Sequence, residues 1–195
     1  MKSCIIYSSV TGNTRKVAEA LAAASGAPCF PVREAPDPDD YDLLALGFWV
    51  RLGQADARTQ GYMRRVLGKK VFFFGTLGAW PDSPHARRCA EGARALLEEG
   101  GNTVLDGFLC QGRVDPKILE ISRQKGRHPM TPERRARQEA ARHPDTADLA
   151  EAGRRWQLCL ADLLHVGPER FRCEMLCRTK RRRVLRAPLH NCLKH

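Results

Sequence analysis

The stretch Lys2-Ser3-Cys4-Ile5-Ile6-Tyr7-Ser8-Ser9-Val10-Thr11-Gly12-Asn13-Thr14-Arg15-Lys16-Val17-Ala18 decides the fold. Cys4 to Tyr7 form an apolar run of strand length, and Val17, Ala18, Leu21 and Ala22 then recur at helical spacing, so the period changes across residues 8–14. In an open parallel sheet such a turn lies at the carboxyl edge of its strand. Unpaired amides and the positive end of the helix dipole favour an anion there. Gly12 lets the backbone come close, and Ser8, Ser9, Thr11, Asn13 and Thr14 offer five side-chain donors within seven residues, with Val10 the apolar member between them. A helix N-cap uses one such side chain. The surplus predicts a phosphate cradle.

Working outward, residues 42–47 (Asp-Leu-Leu-Ala-Leu-Gly) and 70–75 (Lys-Val-Phe-Phe-Phe-Gly) are near-continuous apolar runs ending in glycine, the pattern of central parallel strands buried on both faces. Residues 103–110 supply a further strand, and residues 29–33 an edge strand weakened by Pro28 and Pro31. Between them, residues 58–67 and 85–97 have helical spacing, with Gly68 and Gly100 as C-terminal stops, and residues 149–164 form a last helix bearing Ala152, Trp156, Leu160 and Leu163 on one face. Alternating strands and helices predict an α/β, doubly wound, open five-stranded parallel sheet.

The run Ser9-Val10-Thr11-Gly12-Asn13-Thr14 resembles the phosphate-binding signature of the flavodoxin family, whose members bind FMN non-covalently and shuttle electrons. No Gly-Lys-Ser or Gly-Lys-Thr follows and the three-glycine dinucleotide fingerprint is missing, so this is neither a nucleotide P-loop nor a dinucleotide site. The resemblance implies strand order 2-1-3-4-5. It also implies that the flavin ring sits between the loops after the third and fourth strands, residues 47–53 and 75–83, each of which carries one tryptophan. Phe48, Trp49 and Trp80 are the ring candidates, unless they plug the top of the core. The backbone of Thr76, Leu77, Gly78 and Ala79 would meet the ring's polar edge. Arg51 stands where a neutral or acidic residue is expected, which favours a less reducing low-potential couple than in acidic flavodoxins. The third loop, with His128-Pro129 and His143-Pro144-Asp145, further resembles a subgroup of short flavodoxin-like proteins that includes an accessory protein of bilirubin reductase.

At 195 residues and 43% hydrophobic content, the chain is long enough for one domain with a proper core. The sequence divides into a flavodoxin-like domain over residues 1–166, with an insertion over 111–144, and a basic tail over 167–195. No leader and no membrane-length apolar run is read, and a cytoplasmic location is expected. The net charge of +11 is uneven: the tail has nine Lys or Arg against two acidic residues. It has neither interleaved aromatics nor a recognisable binding fold, so no nucleic acid is expected. Five of the eight cysteines (Cys4, Cys29, Cys89, Cys110, Cys159) are scattered as small apolar residues, the usual state in a reducing compartment. Cys173, Cys177 and Cys192, with His190 and His195, do not have the spacing of a standard zinc knuckle, and no metal site is assigned. The insertion has helical spacing over residues 132–141 and is expected to shape the approach of a partner to the flavin, with His128 and His143 at its edges.

No nucleophile is paired with a base at recognisable spacing, so no catalytic residue is assigned and no hydrolytic reading rises above background. The expected function is an FMN-binding electron carrier between redox partner proteins, a reductase and a terminal oxidoreductase. The alternatives are an FMN-dependent oxidoreductase of the same fold, of the NAD(P)H:quinone reductase or porphyrinogen oxidase type, or a flavin-free scaffold.

Overall fold

A computed structural model describes residues 2–115, 117, 120, 121 and 143–165, with side chains to residue 162. Most of the insertion, including His128 and residues 132–141, and the whole basic tail lie outside the described residues. The elements run β1 (Ser3–Tyr7), α1 (Asn13–Ser25), β2 (Cys29–Pro31), β3 (Leu43–Arg51), β4 (Gln54–Ala55), α2 (Ala57–Met63), β5 (Lys70–Leu77), α3 (Pro84–Glu99), β6 (Thr103–Gln111) and α4 (Thr146–His165), with two 3-10 turns between β2 and β3. Five strands lie parallel in the order β2-β1-β3-β5-β6, and β4 pairs only with β3. In order of the parallel strands this is the expected 2-1-3-4-5.

The register places Ile5 of β1 beside Cys29 and Ala45, Ala45 beside Phe72, and Phe72 beside Asp106. Side chains alternate across a strand, so the sheet buries two cores. Cys4, Ile6, Leu44, Leu46, Phe48, Val71 and Phe73 pack with Tyr62 and Met63 of α2 and Ala93 and Leu97 of α3. On the opposite face, α1 brings buried Val17 and Leu21, and α4 sets the fully buried Trp156 at 5.7 Å from the Phe72 ring. Gln157 Nε2 donates to Ala24 O at 2.9 Å, which ties α4 to α1. Gly47 has a steric duty: a Cβ there would come within 2.3 Å of the Phe74 ring. Residues 160–165 continue α4 as helix.

Three readings of the sequence are corrected. The third strand does not stop at Gly47; it continues to Arg51 and folds back through Leu52 (φ 50) and Gly53 (φ 85) onto β4. Two consecutive positive φ angles are what a tight two-residue hairpin requires, and they leave the second loop only a turn. Likewise β5 runs to Leu77, so Thr76 and Leu77 are buried strand residues rather than loop. The helix of residues 58–67 is shorter, ending at Met63, whereas α3 stops at Glu99 with Gly100 as its C-cap, as expected, and Gly101 (φ 71) takes the left-handed turn after it.

Candidate functional site

The phosphate loop enters α1 through Gly12, which is the N-cap at φ 86 and ψ −9 and receives no side-chain cap. A β-carbon at Gly12 would meet nothing within 4 Å, so it is the backbone angle that asks for glycine. The first bond of the helix is Lys16 N–H to Gly12 O at 3.1 Å. Among the described residues, the amides of residues 9–15 have no partner. With no acidic side chain in the first turn, the helix end keeps its positive potential.

The side chains are divided differently from what composition implied. Ser8 is buried and gives its hydroxyl to Asp56 Oδ1 at 3.0 Å. Thr14, also buried, shares a 2.8 Å bond with the Thr76 hydroxyl and reaches Phe48 O at 3.5 Å. Asn13 spends its amide on Thr11 Oγ1 at 3.0 Å and Arg113 O at 2.9 Å. These three build the loop. Ser9 Oγ is buried without a partner, and Thr11, exposed, accepts from Asn13 and keeps its own O–H to donate. Val10 stands 70% exposed at the tip.

Among the ring candidates, Phe48 is a correction. It is wholly buried, with its ring 6.2 Å from that of Phe73, because it continues the Leu44, Leu46 face of β3 into the core. Trp49 and Trp80 remain beside the edge, Trp49 half-buried in β3 opposite Thr76 and Trp80 41% exposed in the turn before α3. That turn is held by Ser83, which caps α3 by accepting from Ala86 N and donates to Trp80 O at 2.6 Å. Gly78 follows the strand and lies so close to Val114 that a Cβ would come within 2.6 Å of it; Ala79 is half-buried.

Two residues at this edge escaped the sequence reading. Asp56, 3% exposed, caps α2 through Arg58 N and Thr59 N while holding Ser8, so one carboxylate joins the hairpin, α2 and the phosphate loop. An Asp immediately before a helical run was the available signal. Gln111 ends β6 with Oε1 buried and unpartnered, and nothing in its neighbours announced it. Beside the loop an open cleft of about 250 Å³ is lined by Tyr7, Ser9, Gly12, Arg15, Arg33 and Arg58, among others.

The family model described as Flavodoxin domain matches residues 4–156. The chain belongs to that family. Two curated relatives, each named flavodoxin-like domain-containing protein BilS, are similar to it. The one from Clostridium symbiosum is 30% identical, covering 77% of this chain and 91% of its own, and the one from Clostridioides difficile is 27% identical, covering 78% and 92%. Among solved structures, a flavodoxin from the domain Archaea aligns with TM-score 0.56 at 16% identity over 85% of this chain and all of its own.

One further cluster in this flavodoxin domain is structural. His143, Asp145 and Asp148 stand within 4.8 Å of one another, but Asp145 Oδ1 accepts from Asp148 N and Asp148 Oδ2 from Asp145 N, the reciprocal box that starts a helix. His143 Nδ1 completes it on Asp148 Oδ2. The amide of Asp148 holds the Asp145 carboxyl below its usual range. The described cysteines are free thiols. Burial pushes Cys4 up to about 12 and Cys29 to about 11, and raises Cys89 and Cys110 as well, so none of these four is poised as a thiolate nucleophile. No helix among the described residues is long and apolar enough to cross a membrane.

Proposed function

We propose that this flavodoxin domain binds FMN at the carboxyl edge of its sheet and passes electrons to a partner oxidoreductase. The observation that carries the reading is a pattern of unmet hydrogen bonding. Three buried side-chain atoms among the described residues lack a partner, and two of them lie at this one edge, Ser9 Oγ in the phosphate loop and Gln111 Oε1 at the end of β6. Buried polar groups are normally satisfied, and an orphan calls for a ligand. The amides of residues 9–15 are unpartnered beside Ser9, and they suit a phosphate, which accepts many hydrogen bonds and complements the helix end.

In this reading the backbone of residues 9–15 holds the phosphate, with the Ser9 and Thr11 hydroxyls as the side-chain donors. Ser8, Asn13 and Thr14 fix the loop's shape through Asp56, Arg113 and Thr76. Trp49 and Trp80 wall the ring, Gln111 offers an acceptor to a ring N–H, and the exposure of Trp80 supports a ring bound near the surface, within reach of a second protein. When bound, FMN supplies reversible one- and two-electron redox chemistry.

The test is a titration of the apoprotein into FMN, followed by the quenching of flavin fluorescence. A stoichiometric endpoint near one is expected, with transfer of electrons from the reduced, loaded protein to a protein acceptor faster than any NAD(P)H-driven reduction of a quinone. Absence of FMN binding would overturn the reading. Direct NAD(P)H:quinone turnover without a second protein would replace the carrier with a reductase.

A further inference from the structure

Leu52 sits at the tip of the β3–β4 hairpin with φ 50 and its side chain 91% exposed. The left-handed region disfavours an L-residue with a branched aliphatic side chain, and glycine or asparagine is the ordinary occupant of such a turn. Nothing in the fold is gained in return, since the side chain packs on nothing. Val10, 70% exposed at the tip of the phosphate loop, is a second large apolar side chain at the same edge of the sheet.

The charges around these two groups are predominantly basic, with Asp82 the exposed acid in the turn before α3. Arg51, Arg58, Arg87, Arg88 and Arg113 lie at this edge, all are exposed, and none has an ion-pair partner among the described residues. The hairpin tip is anchored among them: Gly53 O accepts from Cys89 Sγ at 3.2 Å, which puts Leu52 beside the start of α3, where Arg87 and Arg88 sit. The amino edge of the sheet is mixed: Asp37, Asp39, Asp40, Asp42, Glu98 and Glu99 are exposed there beside Lys2, Arg64 and Arg65, and Lys69 pairs with Asp39 at 3.3 Å. Five unpaired arginines therefore gather at the edge where the FMN reading puts the cofactor.

Apolar groups inside a rim of unpaired like charges are the anatomy of a protein docking site, and the sign of the rim selects the partner. We infer that the carboxyl edge docks an acidic protein surface, with Leu52 and Val10 as the apolar contacts and the five arginines as the steering rim. The inference rests on the carrier reading for its purpose, though not for its evidence. Steering of this kind brings the partner to the cofactor side, because the unpaired arginines of that edge attract an acidic surface before contact.

The probes are an acidic plant-type ferredoxin and a basic cytochrome c, each immobilised and titrated with the full chain, with and without FMN. Ferredoxin is expected to bind, with affinity falling at least tenfold between 50 and 300 mM NaCl, and cytochrome c is not. Arg51→Glu/Arg88→Glu should weaken ferredoxin binding at least tenfold, whereas Arg64→Glu/Arg65→Glu, toward the amino edge and equal in charge, should change it less than twofold. Leu52→Asn should weaken binding severalfold while its urea midpoint stays level or rises, a combination that a purely structural role does not produce. Tighter binding to cytochrome c, equal loss in the two double variants, or unchanged binding in Leu52→Asn would overturn the inference. Displacement of ferredoxin by duplex DNA or phosphatidylserine vesicles at 150 mM NaCl, through the same arginines and more tightly, would overturn the assignment to a protein. FMN titration of every variant separates the two ideas: ferredoxin binding without FMN binding removes the cofactor reading and leaves the docking surface, and the converse removes the docking surface alone.

Discussion

Asp56 joins three pieces of the site through four hydrogen bonds, and its replacement measures what that junction contributes. Oδ1 accepts from Ser8 Oγ at 3.0 Å, Arg58 N at 3.2 Å and Thr59 N at 3.3 Å, and Oδ2 accepts from Thr59 Oγ1 at 2.9 Å. In Asp56→Ala the loss of the α2 cap costs about 1 kcal/mol. The buried Ser8 hydroxyl, left without its acceptor, adds about 2 kcal/mol. Thr59 adds little, because its hydroxyl already reaches Gly47 O at 3.4 Å. The expected loss of about 3 kcal/mol is roughly a hundredfold in the folding equilibrium. Asp56→Asn keeps an oxygen at the Oδ1 position, where three of the four bonds converge, and should lose about 1 kcal/mol or less. Urea denaturation of the three proteins, with the slope checked for constancy, reads both values. Equal destabilisation by Asn and Ala would refute the reasoning, since it would make the charge, and not the placement of an acceptor, the source of the stability.

Ser9→Ala removes a donor that has no partner inside the protein, so FMN affinity should fall by about one to two orders of magnitude, the worth of a hydrogen bond to a charged group, with no loss of apoprotein stability by urea titration. Thr14→Val does the reverse: it leaves the buried Thr76 hydroxyl without its 2.8 Å partner and should lower stability by about 1–2 kcal/mol while FMN affinity changes less than threefold. Adding Thr76→Val should recover part of that stability, and a strictly additive cycle by urea denaturation would count against the pair. At alkaline pH, Cys4 and Cys29 hold their protons to about 12 and about 11, against an ordinary value of 9.0, so the folded state binds more protons above pH 9. Stability should therefore be level below pH 9 and fall as pH rises through the window up to 11–12, with a maximal slope of about 1.4 kcal/mol per pH unit for each thiol. Urea midpoints at pH 8, 10 and 11 test this, and Cys4→Ala should flatten the slope.

The alternation of strand and helix, the phosphate loop and the parallel order were legible because each rests on local periodicity, and Ile5, Leu44 and Phe72 sit in strands that no other reading of their runs accommodates. The hairpin is also written locally, as Leu52-Gly53 between Val50-Arg51 and Gln54-Ala55, but Gly47 at the end of the apolar run imitates a strand end ahead of the true turn. Phe48 was decidable by parity: it shares the face of Leu44 and Leu46, and that face is core. Ser8, Asn13 and Thr14 were not decidable. Their partners stand 48, 100 and 62 residues away, so whether a hydroxyl faces a ligand or another side chain is settled by tertiary contacts that no window of sequence contains.

Arg113 N–H donates to His143 O at 3.0 Å, and the Arg113 carbonyl accepts from Asn13. The two ends of the long excursion between β6 and α4 are thus stapled together at its root, and the staple is riveted to the phosphate loop. A root closed on itself lets the intervening chain change length and composition as an exchangeable cassette, while the sheet below keeps its register.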